Sequence, residues 1–579
     1  MNGSSGAGQS REVVTAGQRA RRSAAGPATA RARREPTGDH VAGWRWWVLG
    51  ILCLGLLMTD IDTTVLNVAL PTLVRDLNAS TNQLQWIVDA YALVFGGLLL
   101  TAGSLSDRLG RKWVLVAGLG VFGVGSAFCA YAGSVLPLTL ARGGMGIGGA
   151  MVMPSSLAIV TNIFKNPVER GRAVGIWSGT AGLGVAIGPL LGGWLLAHFW
   201  WGSVFLINVP VAAVTLLASI WLVPNSRDRN APPSDIVGSV LSVLALGVLL
   251  WGIIEAPVHG WTSPDTFGAV TGGVALLALF VVWERHSPHP MLDIGLFAER
   301  AFSASIGSLF LVLFALSGAL FMFTQYLQFV LGESAFRTGI LIAPVSAVLF
   351  ISSAISSFLV HKLGPRLVIP VGLIIVAVGL WTSADLSVGF AYSAMVWRFV
   401  LVGAGIGFVM APAIDMVLGV VPVERSGVGS ATSSAMIQIG GALGVGVLGS
   451  VLSTRYQDHL APLLAGHPIP AEARNAILSS VGGALAVAAR AGGHLGDELS
   501  HVAKLAFTSG MDLSLIVGAC ATLAGVLVAA LFLPTRLEGL HTPPAPPAAD
   551  PGAGPGAPAG DDAPASAADG APGERRDAG

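Results

Sequence analysis

The sequence predicts an all-α polytopic membrane protein: fourteen transmembrane helices, built as two pseudo-symmetric six-helix bundles plus two inserted helices. Three observations carry that prediction. Hydrophobic residues make up 53% of the 579 residues and charged residues 11%, with a mean hydropathy of +0.71, more apolar surface than one soluble core would need. Fourteen apolar stretches have roughly the 18–25 residues that cross a hydrocarbon layer as a helix. Short strings also recur in the same order roughly 255 residues apart, the mark of a duplicated unit.

The spans fall near 45–70, 85–106, 112–132, 136–160, 172–197, 203–223, 236–256, 267–284, 303–330, 339–360, 366–385, 391–416, 427–453 and 512–534. Connectors after even-numbered spans hold Arg108, Arg111 and Lys112; Lys165, Arg170 and Arg172; Arg227 and Arg229; Arg285 and Arg300; Lys362 and Arg366; and Arg425. Most short odd-numbered connectors are poor in basic residues, Arg75 and Arg337 excepted. By the positive-inside rule both termini are expected in the cytoplasm. Residues 1–43 carry seven Arg and no run long enough for a secretory signal, and residues 536–579 are rich in Pro, Ala, Gly and Asp; both read as disordered cytoplasmic tails. Between them lie a first bundle (44–224), an inserted pair (225–300) and a second bundle (301–535). The long connector 454–511 is expected outside, with a helical stretch at Ala471–Ser480 that forms a small cap.

The repeat can be read residue by residue. Asp107–Leu119 (DRLGRKWVLVAGL) aligns with His361–Leu373 (HKLGPRLVIPVGL) at an offset of 254. Pro167–Arg170 and Pro422–Arg425 are both PVER, offset by 255, and Gly146–Gly148 and Gly405–Gly407 are both GIG, offset by 259. Spans 1–6 and 9–14 are then two copies of one unit, with spans 7 and 8 inserted. Six-helix repeats of this kind suit an alternating-access carrier with its substrate site near the midplane.

Span 5 contains Gly184-Val-Ala-Ile-Gly188-Pro189-Leu-Leu-Gly192-Gly193. Glycines four apart leave a bare groove on one helix face, and Pro189 removes a main-chain hydrogen bond and bends the helix, as a moving seam requires. The string resembles GxxxGPxxGG, the antiporter signature of the major facilitator superfamily. Gly103-Ser-Leu-Ser-Asp107-Arg108-Leu-Gly110-Arg111-Lys112, between spans 2 and 3, resembles that superfamily's GxLaDRxGRK at every fixed position. Here Asp107, with Arg108, Gly110 and Arg111, is expected to form a conformational gate, meeting a helix N-terminus or a basic partner across the seam between halves. His361 replaces Asp107 in the second copy, so the gate is asymmetric. Asp62-Thr-Thr-Val-Leu-Asn67-Val-Ala-Leu-Pro71, read as the close of span 1, resembles the DxTxxNxALP string of the QacA/EmrB family of fourteen-span drug:proton antiporters. Pro290–Asp293, Leu296–Phe297, Gln325–Gln328 and Pro422–Gly427 fit the same family, so the resemblance runs over residues 45–535. It implies efflux of lipophilic, frequently cationic compounds driven by the inward proton gradient.

An Asp near a helix centre is disfavoured by about 2.5–3.5 kcal/mol on insertion scales, so Asp60 and Asp62 need a reason, and proton handling is the first. Two residues apart, they point about 200° apart and cannot share a face. The resemblance favours Asp62; spacing offers Asp60, in line with Thr64 and Asn67. Arg142, in ARGGMGIGGA on span 4, resembles the superfamily's RxxQGxG with Met145 in place of Gln. A buried guanidinium needs an acidic or carbonyl partner, which makes Asp62 and Arg142 a proton-coupling pair, with Arg398 as the counterpart in the second copy. Asp89, Glu255 and Asp415, at span edges, read first as interfacial groups in water. Asp89 and Asp415 are also candidate cation contacts, alongside Asn67, Gln325 and Ser434. Ser434 and Ile437 stand on span 13 where relatives carry an acidic residue and an Arg.

The reading is a proton-coupled exporter of lipophilic drugs or antibiotics in a bacterial cytoplasmic membrane. A transporter-like sensor or assembly protein and a proton-coupled nutrient symporter are the alternatives. Only four of 32 basic residues are Lys, which with the Gly and Ala richness points to a GC-rich bacterial genome. Zero net charge gives no electrostatic case for nucleic acid. Cys53, Cys129 and Cys520 have no metal-type spacing, and there is no phosphate loop or nucleophile constellation, so neither an enzyme nor a cofactor is expected. The partners implied are a small lipophilic or cationic substrate, protons and the bilayer.

Overall fold

The computed structural model describes residues 44–228, 233–389, 392–421, 426–465 and 468–535. The expected tails, with Arg229 and Arg425, lie outside the described residues. Every regular element described is helical: α1 Arg45–Leu77, α2 Thr81–Leu109, α3 Arg111–Ala130, α4 Val135–Ile163, α5 Pro167–His198, α6 Ser203–Leu222, α7 Ile236–His259, α8 Pro264–His286, α9 Arg300–Val330, α10 Ala335–Leu363, α11 Pro365–Ser383, α12 Tyr392–Val420, α13 Ser426–Leu464, α14 Ala471–Ser479, α15 Val481–Ala491 and α16 Gly493–Phe532. Fourteen of these, all but α14 and α15, are long and apolar enough to span a membrane.

Local chemistry sets the boundaries. Asn78 takes a left-handed conformation (φ 53°) after α1, and Ser80 opens α2 with a reciprocal cap: its side chain accepts from Gln83 N while Gln83 Oε1 accepts from Ser80 N. Gly110 (φ 112°) breaks α2 from α3, and Gly364 (φ 80°) breaks α10 from α11, in the left-handed region that favours glycine. These two turns stand 254 residues apart, so the repeat seen in sequence is also a repeat of backbone geometry.

The structure corrects one part of that alignment. Gly118 packs against Gly148 where α3 meets α4, and Gly372 packs against Gly405 where α11 meets α12. The equivalent of Gly148 is therefore Gly405, an offset of 257 rather than 259, and the two GIG strings are out of register by two residues. At this register Phe399, not Arg398, occupies the place of Arg142.

In the first half α1 packs on α5 and α6, and α4 packs between α2 and α3. In the second, α12 packs on α10 and α11, and α16 closes on α11 and α13. Two long contacts join the halves, α2 with α13 and α5 with α10. The repeat exchanges them, because α2 corresponds to α10 and α5 to α13. The inserted α7 leans on both α2 and α13, while α8 packs on α7 and is the least buried span.

Two expected boundaries shift. α1 continues through Pro71 to Leu77, so Asp60 and Asp62 lie near its middle rather than toward its end; a proline displaces one hydrogen bond without ending a helix packed on its neighbours. The connector 454–511 is mostly helix, because α13 runs on to Leu464, α16 starts at Gly493, and α14 and α15 stand between them.

Candidate transport site

Asn78 and Asp107 mark opposite ends of the bundle. At the Asn78 end, Gln85 Nε2 donates to Val445 O (3.0 Å) and Gly446 O (2.9 Å), tying α2 to α13. Gln328 Nε2 donates to Val68 O (2.9 Å) and its Oε1 accepts from Arg75 Nη2 (3.3 Å), tying α9 to α1. At the Asp107 end α2 bonds to the inserted segment, Ser104 Oγ to Ser234 Oγ (2.9 Å), and no described hydrogen bond joins the two halves. Arg111 Nε donates to Asp107 Oδ1 (2.8 Å), Asp228 N to Asp107 O (2.9 Å) and Arg111 N to Ser226 O (2.9 Å). Asp107 thus meets Arg111 at the start of the next helix rather than a partner across the seam, and Arg108 is exposed.

Asp62 and Arg142 are brought together as expected. Both are buried, and Arg142 Nη1 donates to Asp62 Oδ2. Arg142 Nε donates to Ile87 O (3.2 Å), and the guanidinium lies 4.6 Å from the Tyr91 ring centroid and 5.8 Å from that of Phe205. Asn208 Nδ2 donates to Asp62 Oδ1 (2.9 Å) and to Ser126 Oγ (3.2 Å). A charge pair deprived of water is tolerated when its remaining hydrogen-bonding capacity is used in this way. Three helices, α1, α4 and α6, therefore meet on one carboxylate, and Asn208 extends the network to Ser126 of α3. Asp60 points elsewhere, toward Gly184 on α5, and its Oδ2 is buried without a hydrogen-bond partner. The hydroxyls of Thr63 and Thr64 bond to the Asp60 main-chain carbonyl, not to either carboxylate.

Two cavities, of ≈ 390 and ≈ 450 Å³ empty volume, lie along the seam, and Asn67 lines both. The first has Thr64 and Pro189 on one side and Leu316, Leu320, Ile342 and Val345 on the other. The second is lined by Asp89, Tyr91 and Arg142 from the first half and by Ser317, Gln438 and Gly441 from the second. Asp89 is completely buried and neither oxygen has a partner, so it is not an interfacial group in water. Glu255, at the end of α7, accepts from Asn82 and Trp86.

Several other expected residues are placed differently. Gly184, Gly188 and Gly192 do form one groove, but α1 of the same half fills it with Asp60, Thr64 and Val65. The face of α5 that meets the second half is formed by Pro189 and Gly193, against Gly339, Ala335 and Phe336 of α10. Gln325 is buried, donates to Phe321 O in its own helix (3.0 Å) and lines neither cavity. Asp415 is exposed on α12. Ser434 is half-buried one helical turn before Gln438. Arg398 has Asp385 as an ion-pair partner at 4.0 Å.

Sequence reasoning missed Asn208, Ser126, Tyr91, Gln85 and Gln438. The available signal was cost: Asn208, Gln85 and Gln438 are carboxamides inside apolar spans, and a polar group at such depth needs a partner or a purpose.

This fold, fourteen apolar spans with an ion pair buried among them and cavities on the seam between two halves, defines a membrane transporter rather than an enzyme. A family model described as Major Facilitator Superfamily matches residues 52–445, and the chain belongs to that superfamily. It is 36% identical over 483 residues to the multidrug efflux pump LfrA of Mycolicibacterium smegmatis, covering 83% of this chain and 95% of that one. It is 32% identical to the tetracenomycin C resistance and export protein of Streptomyces glaucescens, covering 86% and 94%. It is also 32% identical to the methyl viologen resistance protein SmvA of Salmonella typhimurium, covering 71% and 83%. Among solved structures, a bacterial homolog of the human lysosomal transporter Spinster matches with a TM-score of 0.61 at 19% identity, covering 87% of this chain and all of that one.

Proposed function

We propose that the protein exports lipophilic drugs from the bacterial cytoplasm across the cytoplasmic membrane in exchange for protons, by alternating access, with both termini in the cytoplasm. One observation carries the coupling: the Asp62 carboxylate is buried inside the first half, and among the described residues its charge is held by Asn208 and by Arg142, which lines the second cavity. Protonation removes the charge that Arg142 holds, which frees the guanidinium and changes the wall of the second cavity, which Arg142 lines. The efflux relatives support the direction of transport. With the Asn78 end outside, as the positive-inside pattern requires, the hydrogen bonds joining the halves close the outer end, and drug enters from the Asp107 end.

Asp62→Asn tests the reading, because Asn keeps the shape but cannot release a proton. The variant should reach the membrane at parental level and accumulate dye in an efflux-deficient host as if no pump were present. Normal gradient-driven export by this variant would move the coupling role to Asp60 or Asp89.

A further inference from the structure

We propose that Gln85 and Asp89 form a proton-operated latch on α2: protonated Asp89 donates to Gln85 Oε1, and the carboxamide so held locks α2 onto α13 at the Asn78 end. The residues are one helical turn apart on the same face, the spacing at which Gln and Asp side chains bond along a helix. Both face α13. A Cβ added at Gly446 would lie 3.6 Å from Asp89 Oδ2, and one at Gly449 would lie 2.6 Å from Gln85 Nε2. Gln85 Nε2 is committed to the main-chain carbonyls of Val445 and Gly446, which fixes the amide with Oε1 as the free acceptor. Gln85 Oε1 and both Asp89 oxygens are buried without a hydrogen-bond partner. Three buried acceptors without a donor are costly, and one proton on Asp89 supplies the donor.

The remaining surroundings leave that role to the proton. From α4, Arg142 faces the same cavity but is held by Asp62 of α1 and by Ile87 O. The α13 and α9 groups lining this cavity, Gln438, Gly441, Ala442, Val445 and Ser317, carry no charge. From α7, Leu250 and Ile254 come within 4 Å of the Cβ position of Gly446, and the nearby Glu255 is bonded to Asn82 and Trp86. On α2 itself, the Tyr91 hydroxyl lies against Gly149 of α4.

The sign is the one an exchanger needs. Protonated Asp89 stabilises closure of the Asn78 end; loss of the proton, or its replacement by a cationic substrate in the second cavity, leaves Gln85 Oε1 facing an anion and frees α2 from α13. Gln85 is then a positioning residue that reports the state of Asp89 to the seam. The proposal rests on the proton-driven reading for its place in the cycle, but its test needs neither transport nor a gradient.

Spin labels at Gln83 on α2 and Asp458 on α13, both exposed, would be placed in full-length protein lacking Cys53, Cys129 and Cys520 and reconstituted in lipid nanodiscs. In the parent, lowering the pH should shift the distance distribution severalfold toward the short, closed population. Asp89→Asn, whose amide donates to Gln85 Oε1 at any pH, should be closed throughout. Gln85→Met should lose the pH response, and Gln85→Glu should regain closure at low pH, which a merely structural defect would not do. A pH response in Gln85→Met equal to the parent's overturns the latch. So does an Asp89→Asn protein that stays open. Either result leaves the Asp62→Asn efflux test untouched.

Discussion

Asn208 joins Asp62 to Ser126, and the consequence of that triangle can be measured. Asn208→Leu would strip one carboxylate oxygen and the Ser126 hydroxyl of their donor, a loss of about 1–3 kcal/mol for buried polar groups. Arg142→Leu should cost more, about 3–5 kcal/mol, because it leaves a buried carboxylate uncompensated. Thermal unfolding in detergent should rank the two in that order, and adding Asp62→Asn to Arg142→Leu should recover much of the loss, since the groups act as a unit. A double variant no more stable than the single one would mean that the charge is not what strains the site. Ser434 supports a second expectation. With no acid there, the seam offers few permanent anions, so monocationic dyes should be exported better than dications of similar size, and Ser434→Asp should narrow the gap. Everted vesicles given both dye classes decide it. The Asp62–Arg142 pair was legible in sequence because each charge is too costly in an apolar span without the other. Gln85 and Asn208 were not, because an uncharged amide gives a weaker signal and its partner is a main-chain or side-chain atom on a distant helix.

Among elements, α5 shows how a motif can be recognised and its neighbour misassigned. Spacing alone established that Gly184, Gly188 and Gly192 share a face, but a bare groove does not say which helix fills it. Here it is α1, of the same half. Gly188→Leu should therefore clash with Thr64 and lower the stability of the first half by about 1–3 kcal/mol, as overpacking does. Gly193→Leu acts on the other face, where an added Cβ would stand 2.7 Å from Ala335 O of α10. It should leave the first half intact and open the Asn78 end. Thiol labelling of a cysteine placed near Ala335, set beside thermal unfolding, separates the two effects; equal labelling of parent and Gly193→Leu would show that this contact does not hold the halves together. The spans themselves were well legible from hydropathy and length. Their ends were less so, because Pro71 and the polar extensions of α13 and α16 are helical only by virtue of what they pack against.

For the whole molecule, the small helices between α13 and α16 matter more than their size suggests. Thr81 Oγ1 of α2 donates to Ser479 O (3.0 Å), and Gly482 of α15 packs between Val74 of α1 and Phe329 of α9, so this cap touches both halves at once. A disulfide between Thr81→Cys and Ser479→Cys should hold the Asn78 end shut and stop export, with activity returning on reduction. Full export in the oxidised protein would show that the cap is a passenger. The corrected register of the repeat has a last consequence. Where the first copy has Arg142 holding an acid, the second has Phe399 packed on Phe323, ring centroids 4.4 Å apart and planes tilted by 40°. At this place the first copy keeps a buried ion pair and the second a buried aromatic pair, while Arg398, one residue earlier, pairs with Asp385 instead. On the proposed reading, a guest in the second cavity would meet Asp89, Tyr91 and Arg142 on one side and the uncharged Ser317, Gln438 and Gly441 on the other, so the charged and neutral ends of an amphiphile would find different walls.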